Sequence, residues 1–224
     1  MVQSDAAWLG YMRLGSESTL LVAVVDGMGG HRGGIVASRM IAEHFSGVAP
    51  SLEPSDTVAT LLVQEANKSL FSHASMHVEL CGMGATVAAV WFGFDAGLSF
   101  NVGDAKVFRV QDGFLQLRGE EHAIQAADGR RSLLRSIGGT NELRPPVPSH
   151  SVERVRSGRQ FLLCTDGLTD EVDLDRIEQC MALAPEHAVT ALVEAARPAG
   201  GRDNTTLAIV ELAMAHAAKV ESDP

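Results

Sequence analysis

Leu21-Val22-Ala23-Val24-Val25-Asp26-Gly27-Met28-Gly29-Gly30-His31 joins an apolar, β-branched run to one carboxylate and then to glycines. Such a run is the pattern of a buried strand, here delivering an aspartate to its end before a turn that leaves no room for side chains. The pattern recurs in Phe161-Leu162-Leu163-Cys164-Thr165-Asp166-Gly167, a second apolar strand ending in Asp-Gly. A third acidic site, Asp203 in Gly201-Arg202-Asp203-Asn204, stands just before the apolar run Thr206 to Leu212. A lone Asp-Gly is ordinarily a turn, but three carboxylates at strand termini, far apart in sequence, are the makings of a hard-metal site on sheet edges. Carboxylate and carbonyl oxygens suit Mg2+ or Mn2+, and no Cys/His set is spaced for zinc. Two such ions sharing a water would lower its pKa and supply hydroxide near neutral pH for in-line attack on a phosphoryl group.

The elements that must position these groups follow from periodicity. Ile35, Val36, Met40 and Ile41 share one face of a helix predicted over Ile35 to Phe45. Asp56 is the expected N-cap of a longer helix reaching about Met76, with Val58, Leu61, Leu62, Ala66 and Leu70 at helical spacing. Short strands are predicted over Thr86 to Phe92, Gly97 to Asn101, Lys106 to Val110 and Phe114 to Leu117, separated by hairpin-like turns at Asp95-Ala96-Gly97 and Gln111-Asp112-Gly113. Glu120 to Arg131 is polar with little periodicity, and Pro145, Pro146 and Pro148 mark an extended connection. Helices around Asp173 to Met181 and Pro185 to Arg197, a strand over Thr206 to Leu212 and a frayed helix after Ala213 complete the chain. Long helices interleaved with hairpin strands predict an α+β sandwich, antiparallel sheets with helices packed outside.

At 224 residues, 46% of them apolar, the chain has the size and composition of one folded enzyme domain. A net charge of −10 argues against nucleic acid as the main partner, since phosphate backbones need a basic face. Cys81, Cys164 and Cys180 are odd in number and widely spaced, the usage of reduced, mostly buried thiols in a cytoplasmic protein. The longest apolar run, Thr19 to Val25, is too short to span a bilayer, and no charged-then-apolar leader precedes it. Cys164 is not read as a phosphatase nucleophile, because Asp170 rather than Arg stands six residues on. The glycines from Gly27 to Gly34 lack the Lys-Ser/Thr of a phosphate-binding loop. His31 is read as a surface or capping residue, and His73, His77 and His122 have no spacing that implies a metal.

The motifs fall in an order that resembles the metal-dependent Ser/Thr protein phosphatases of the type 2C class, the PPM family. Asp26-Gly27-Met28-Gly29-Gly30-His31 with Ala37-Ser38 resembles the first metal motif in its bacterial form. Gly82-Met83-Gly84-Ala85-Thr86 is similar to the family's small-residue strand entry, and Asn101-Val102-Gly103-Asp104-Ala105-Lys106 to its Asn-x-Gly-Asp-Ser-Arg motif. Leu134 with Ile137-Gly138-Gly139, Thr165-Asp166-Gly167-Leu168-Thr169-Asp170 and Asp203-Asn204-Thr205-Thr206 complete the set. The resemblance implies two packed antiparallel β-sheets flanked by α-helices, an αββα sandwich with a binuclear Mn2+ or Mg2+ site at one end. It implies that Asp26 bridges both ions, that the Gly27 carbonyl binds one, and that Asp166 and Asp203 hold the other. Asp104 with Asp166 would form a third, weaker position, and Asp5 an outer ligand through water.

Departures from the family pattern carry expectations of their own. Gln3-Ser4-Asp5 aligns loosely with the end of the family's Arg-x-x-Asn-Glu-Asp opening, whose Arg grips the substrate phosphate; that Arg would fall just before Met1, so the start is truncated or phosphate binding is delegated elsewhere. Met28 stands where many eukaryotic members have a general-acid His, and Lys106 replaces Arg. The segment between His122 and Leu133 is shorter than the family's usual flap, which puts flap-mediated selection of substrate in doubt. The expected protein is one domain over residues 1–224, with a partial first motif in 1–10 and a tail over 213–224. It would act as a cytoplasmic monomer on proteins phosphorylated by a Ser/Thr kinase, without binding nucleic acid or inserting in a membrane. Two other readings stay open: a non-catalytic phosphoprotein-binding module, and a regulatory phosphatase for one dedicated partner such as an anti-sigma-factor antagonist.

Overall fold

The structure, a computed structural model, describes residues 5–9, 19–49, 51–94, 96–125, 131–197 and 204–213. Two antiparallel sheets carry the fold. Sheet A contains β1 (Ala6–Leu9), β2 (Leu20–Met28), β3 (Gly84–Phe92), β4 (Ala96–Val102), β9 (Ile137–Gly138) and β10 (Ser149–Arg154), in the order β1-β2-β3-β4-β10 with β9 also on β3. Sheet B contains β5 (Lys106–Gln111), β6 (Phe114–Leu117), β11 (Arg159–Cys164) and β12 (Leu207–Leu212), in the order β12-β11-β5-β6. A small hairpin, β7 (Ala123–Gln125) with β8 (Arg131–Leu133), stands apart. Helices α1 (Gly30–Ser46) and α2 (Asp56–Met76) cover sheet A, and α3 (Asp166–Thr169), α4 (Leu174–Met181) and α5 (Pro185–Ala196) cover sheet B. The expected αββα sandwich is the observed fold.

Alternation along the strands builds the layers. On β2, Leu21, Ala23 and Val25 face the α1–α2 helices while Val22 and Val24 face sheet B. β3 divides likewise, with Val87, Ala89 and Trp91 on the helix side and Ala88, Val90 and Phe92 between the sheets. Strands buried on both faces read as unbroken apolar runs, which is why Leu21 to Val25 shows no period-2 alternation. Phe92 meets Phe161 across the sheets with ring centroids 5.3 Å apart. Buried Trp91 donates its indole N–H to Thr19 Oγ1 at 3.2 Å, so a large apolar body is buried without orphaning its polar atom.

Several boundaries differ from expectation for physical reasons. Helix α1 begins at Gly30 rather than Ile35, because Gly29 turns the chain at φ 107° and the helix then packs through glycines. The N-cap of α2 is Ser55, whose Oγ accepts the Val58 N–H at 3.2 Å, and Asp56 is the first helical residue. The polar stretch from Glu120 to Arg131 contributes the β7–β8 hairpin, and neither β1 nor β10 was expected. In β10 the apolar residue, Val152, is 68% exposed and the buried residue is Glu153, which inverts the pattern that marks a strand. Cys164 and Cys180 are buried as expected, whereas Cys81 is exposed; all three are free thiols. The helix expected after Ala213 lies outside the described residues.

Candidate metal centre

Strand β2 carries Asp26 opposite Thr86 of β3. The strand does not end at the aspartate: pairing continues through Gly27↔Ala85 and Met28↔Gly84, and β9 adds Gly138↔Gly84 on the other side. Only small residues let three backbones meet there, since a Cβ on Gly84 would lie 2.6 Å from the Gly139 nitrogen. The turn comes at Gly29, and α1 then returns against the strand. A Cβ on Gly34 would sit 2.5 Å from the Gly27 carbonyl oxygen, so Gly34 fixes how closely α1 can approach the Asp26-Gly27 backbone.

The neighbouring strand pair brings in Asp104. Val102 of β4 pairs with Val87, and Gly103 then turns at φ 97° with its missing Cβ directed at the Thr86 side chain. Thr86 thus stands between Asp26, its partner across the strands, and the turn leading to Asp104, which is 6% exposed. His122 braces that turn: its backbone N–H donates to the Gly103 carbonyl at 2.8 Å and its ring Nδ1 accepts the Gly103 N–H at 3.2 Å. Arg135 Nη1 lies 3.1 Å from His122 Nε2. Burial, and then the Arg135 charge, hold the His122 pKa below its ordinary value, so the ring is kept neutral. No local signal in the sequence pointed to this role, because His122 and Gly103 are far apart along the chain.

Sheet B delivers Asp166 to the same end. Beyond Cys164↔Leu207, the Thr165 N–H donates to the Thr206 carbonyl at 3.0 Å and the Thr206 N–H donates to Thr165 Oγ1 at 3.1 Å. Asp166 then opens α3. Gly167 lies so close to the Asn204 carbonyl that no Cβ would fit, and Thr205 Oγ1 donates to the Gly167 carbonyl at 2.9 Å. The segment that follows Asp203 is therefore clamped to the backbone after Asp166, while Asp203 itself lies outside the described residues.

Two contacts tie the sheets together at this end. Thr165 Oγ1 donates to Asp5 Oδ2 at 3.3 Å, and Asp5 is one step beyond the Ala6↔Val25 pair, hence beside Asp26. Asp5 is buried, 8% exposed. Lys106, at the head of β5 and paired with Cys164, donates its Nζ to the Asp104 carbonyl at 3.1 Å and to Thr169 Oγ1 at 3.1 Å, and lies 3.3 Å from Glu121 Oε1. The residue that replaces the family's Arg thus joins the Asp104 turn to α3.

Of the residues singled out in sequence, Asp5, Asp26, Gly27, Asp104 and Asp166 stand at one end of the sandwich. Among the described residues no three His, Cys, Asp or Glu side chains gather closely enough to hold an ion. The donors are all oxygens, and two of the carboxylates are buried, a set that fits a hard divalent cation. Cys164 is excluded as a donor: it faces the helices over sheet B, and burial pushes its thiol pKa up to about 12. His73 on α2 and His77 at the C-cap of that helix lie side by side, with ring centroids 4.6 Å apart.

The family model for protein phosphatase 2C matches residues 4–203, a span that takes in all six of these residues with Asp203. The chain belongs to the protein phosphatase 2C family. It is 28% identical over 227 residues to the serine/threonine protein phosphatase PstP of Mycobacterium tuberculosis, covering 91% of this chain and 43% of that protein. The chain therefore spans less than half the length of PstP. The serine/threonine phosphatase stp of Listeria monocytogenes is 29% identical over 215 residues, covering 85% of this chain and 84% of stp. Among solved structures, the catalytic domain of PstP in complex with two manganese ions is 25% identical, covers 94% of this chain and 97% of that domain, and superposes with a TM-score of 0.76. No helix of the described residues is long and apolar enough to cross a membrane.

Proposed function

We propose that this domain is a protein phosphatase that hydrolyses phosphoserine and phosphothreonine with two Mn2+ or Mg2+ ions. The observation that carries this reading is the interlock of Thr86 with Gly103 and of Thr165 with Asp5 and Thr206, which gathers Asp5, Asp26, Asp104 and Asp166 at one end of two separate sheets. Family membership and the manganese-bound relative support the assignment of the metal. In this reading Asp26, the Gly27 carbonyl, Asp166 and Asp203 would hold the two ions, Asp104 with Asp166 would hold a looser third, and Asp5 would act through water. When bound, the ions lower the pKa of water and neutralise charge developing on the phosphoryl oxygens.

The chain's own contribution is positioning. Lys106 fixes the Asp104 turn against α3, His122 holds Gly103, and Thr165 orients Asp5. Met28 carries no proton to give a leaving group, so no side chain at that position serves as general acid. The proposed unit is one domain over residues 1–224, a cytoplasmic monomer acting on the products of a Ser/Thr kinase. Hydrolysis of a phosphothreonine peptide and of a simple aryl phosphate should require Mn2+ or Mg2+ and stop in EDTA. Full turnover in EDTA would refute the reading.

A further inference from the structure

We infer that a cleft beside Asp166 docks the polypeptide on either side of the phosphorylated residue, and that it selects flanks carrying basic and apolar side chains. The inference rests on the phosphatase reading and names the substrate class of the same site. The cleft has a volume of about 1140 Å3, and Asp166 and Gly167 form part of its lining. That exceeds the ~300–1,000 Å3 of most small-molecule pockets, and suits a peptide segment better than a phosphate alone. A phosphoryl group held at Asp166 would leave its chain neighbours in this space.

The lining sets the preference. Leu117 on β6, Ile124 on β7 and Leu174 on α4 line the cleft with large apolar side chains left 43%, 52% and 50% exposed. Unpartnered apolar surface at the mouth of a site marks a place where something docks. Asp170, Glu171 and Glu121 line it as well. Among the described residues of the lining, the cation is Lys106, which lies 3.3 Å from Glu121, so that pair is neutral as a whole and the acidic excess of the wall comes from Asp170 and Glu171. An acidic wall over apolar patches is complementary to a segment with Lys or Arg and a bulky apolar residue, and repels acidic flanks. Strand addition is blocked on part of β6, because Glu178 Oε1 already accepts the Leu115 N–H at 2.8 Å. Recognition therefore goes through side chains. Strand β7 supplies part of the wall through Ala123, Ile124 and Gln125, which the polar sequence after His122 gave no reason to expect.

The test uses the full chain with Mn2+ and four phosphothreonine peptides that differ only in their flanks: Arg/Leu, Arg/Ser, Gly/Ser and Asp/Glu. The Arg/Leu peptide should exceed the Asp/Glu peptide in kcat/KM by about tenfold, the yield of a few exposed charge pairs, chiefly through KM and less at high salt. Glu171→Lys should shrink that ratio, and Ile124→Ser should narrow the gap between the Arg/Leu peptide and an Arg/Ser one, so that each half of the preference has its own variant. Equal kcat/KM for the four peptides, in a protein that hydrolyses them and an aryl phosphate, overturns the docking inference and leaves the phosphatase reading standing. Absence of hydrolysis of every substrate with Mn2+ overturns the phosphatase reading itself.

Discussion

Glu153 and Asp104 are both buried carboxylates of sheet A or its turns, 1% and 6% exposed, yet the chain surrounds them differently. Glu153 accepts from Arg118 Nε at 2.6 Å and Ser99 Oγ at 3.0 Å, with Arg109 Nη1 3.6 Å away. Its countercharge is supplied by Arg109 on β5 and by Arg118 just past β6, so the cluster knits sheet A to sheet B. Asp104 instead shares its end of the sandwich with Asp5, Asp26 and Asp166. The difference teaches where function resides: Glu153 draws its partners from both sheets and belongs to folding, while Asp5, Asp26, Asp104 and Asp166 share the end of the sandwich proposed to receive ions from solution.

The contrast can be broken most sharply at the metal end. Asp26→Asn and Asp166→Asn should each lower kcat/KM for an aryl phosphate by about 100-fold or more, since each removes a charge holding an ion worth several kcal/mol in the transition state. Their loss of activity should far exceed any loss of stability without metal; calorimetric melting in EDTA checks this. Saturating Mn2+, at a hundred times its dissociation constant, should stabilise the wild type by about 2.7 kcal/mol through preferential binding to the folded state. The same addition should do far less for Asp26→Asn.

Glu153→Gln should behave in the opposite way. It leaves two arginines facing a neutral amide, at a cost of about 2 kcal/mol in denaturant unfolding, moderated because both arginines still reach solvent. Its kcat at low temperature should be unchanged. The smallest effect is expected at His122, which braces the Asp104 turn. Unfolded, its pKa is the ordinary 6.5; in the fold burial and Arg135 hold it lower, so the unfolded chain takes up the proton first. The neutral ring's contribution to stability is therefore whole above pH 6.5 and is lost as pH falls through that value toward the lower folded one. His122→Gln, whose amide oxygen can still accept the Gly103 N–H, should flatten the stability profile over that window.

The placement of Asp104 and Asp166 was legible in sequence because Gly103-Asp104 and Asp166-Gly167 combine each carboxylate with the glycine that its turn or close contact requires. The two sheets were legible for the same local reason, since runs such as Leu21 to Val25 and Phe161 to Cys164 are buried on both faces. What escaped was long-range. Glu153 is separated from Arg118 by 35 positions and from Ser99 by 54, and β10 hides behind its inverted burial pattern. The β7–β8 hairpin has no alternation to announce it. The run at Asp26 was read as ending at the aspartate because glycines usually break strands, whereas here three backbones need them to pair.

The most direct test is a calorimetric titration of Mn2+ into the wild type, Asp26→Asn and Asp166→Asn. A binuclear site bridged by Asp26 predicts two tightly bound ions in the wild type, loss of tight binding for both in Asp26→Asn, and one ion retained in Asp166→Asn. Two ions bound by Asp26→Asn with wild-type affinity would contradict it.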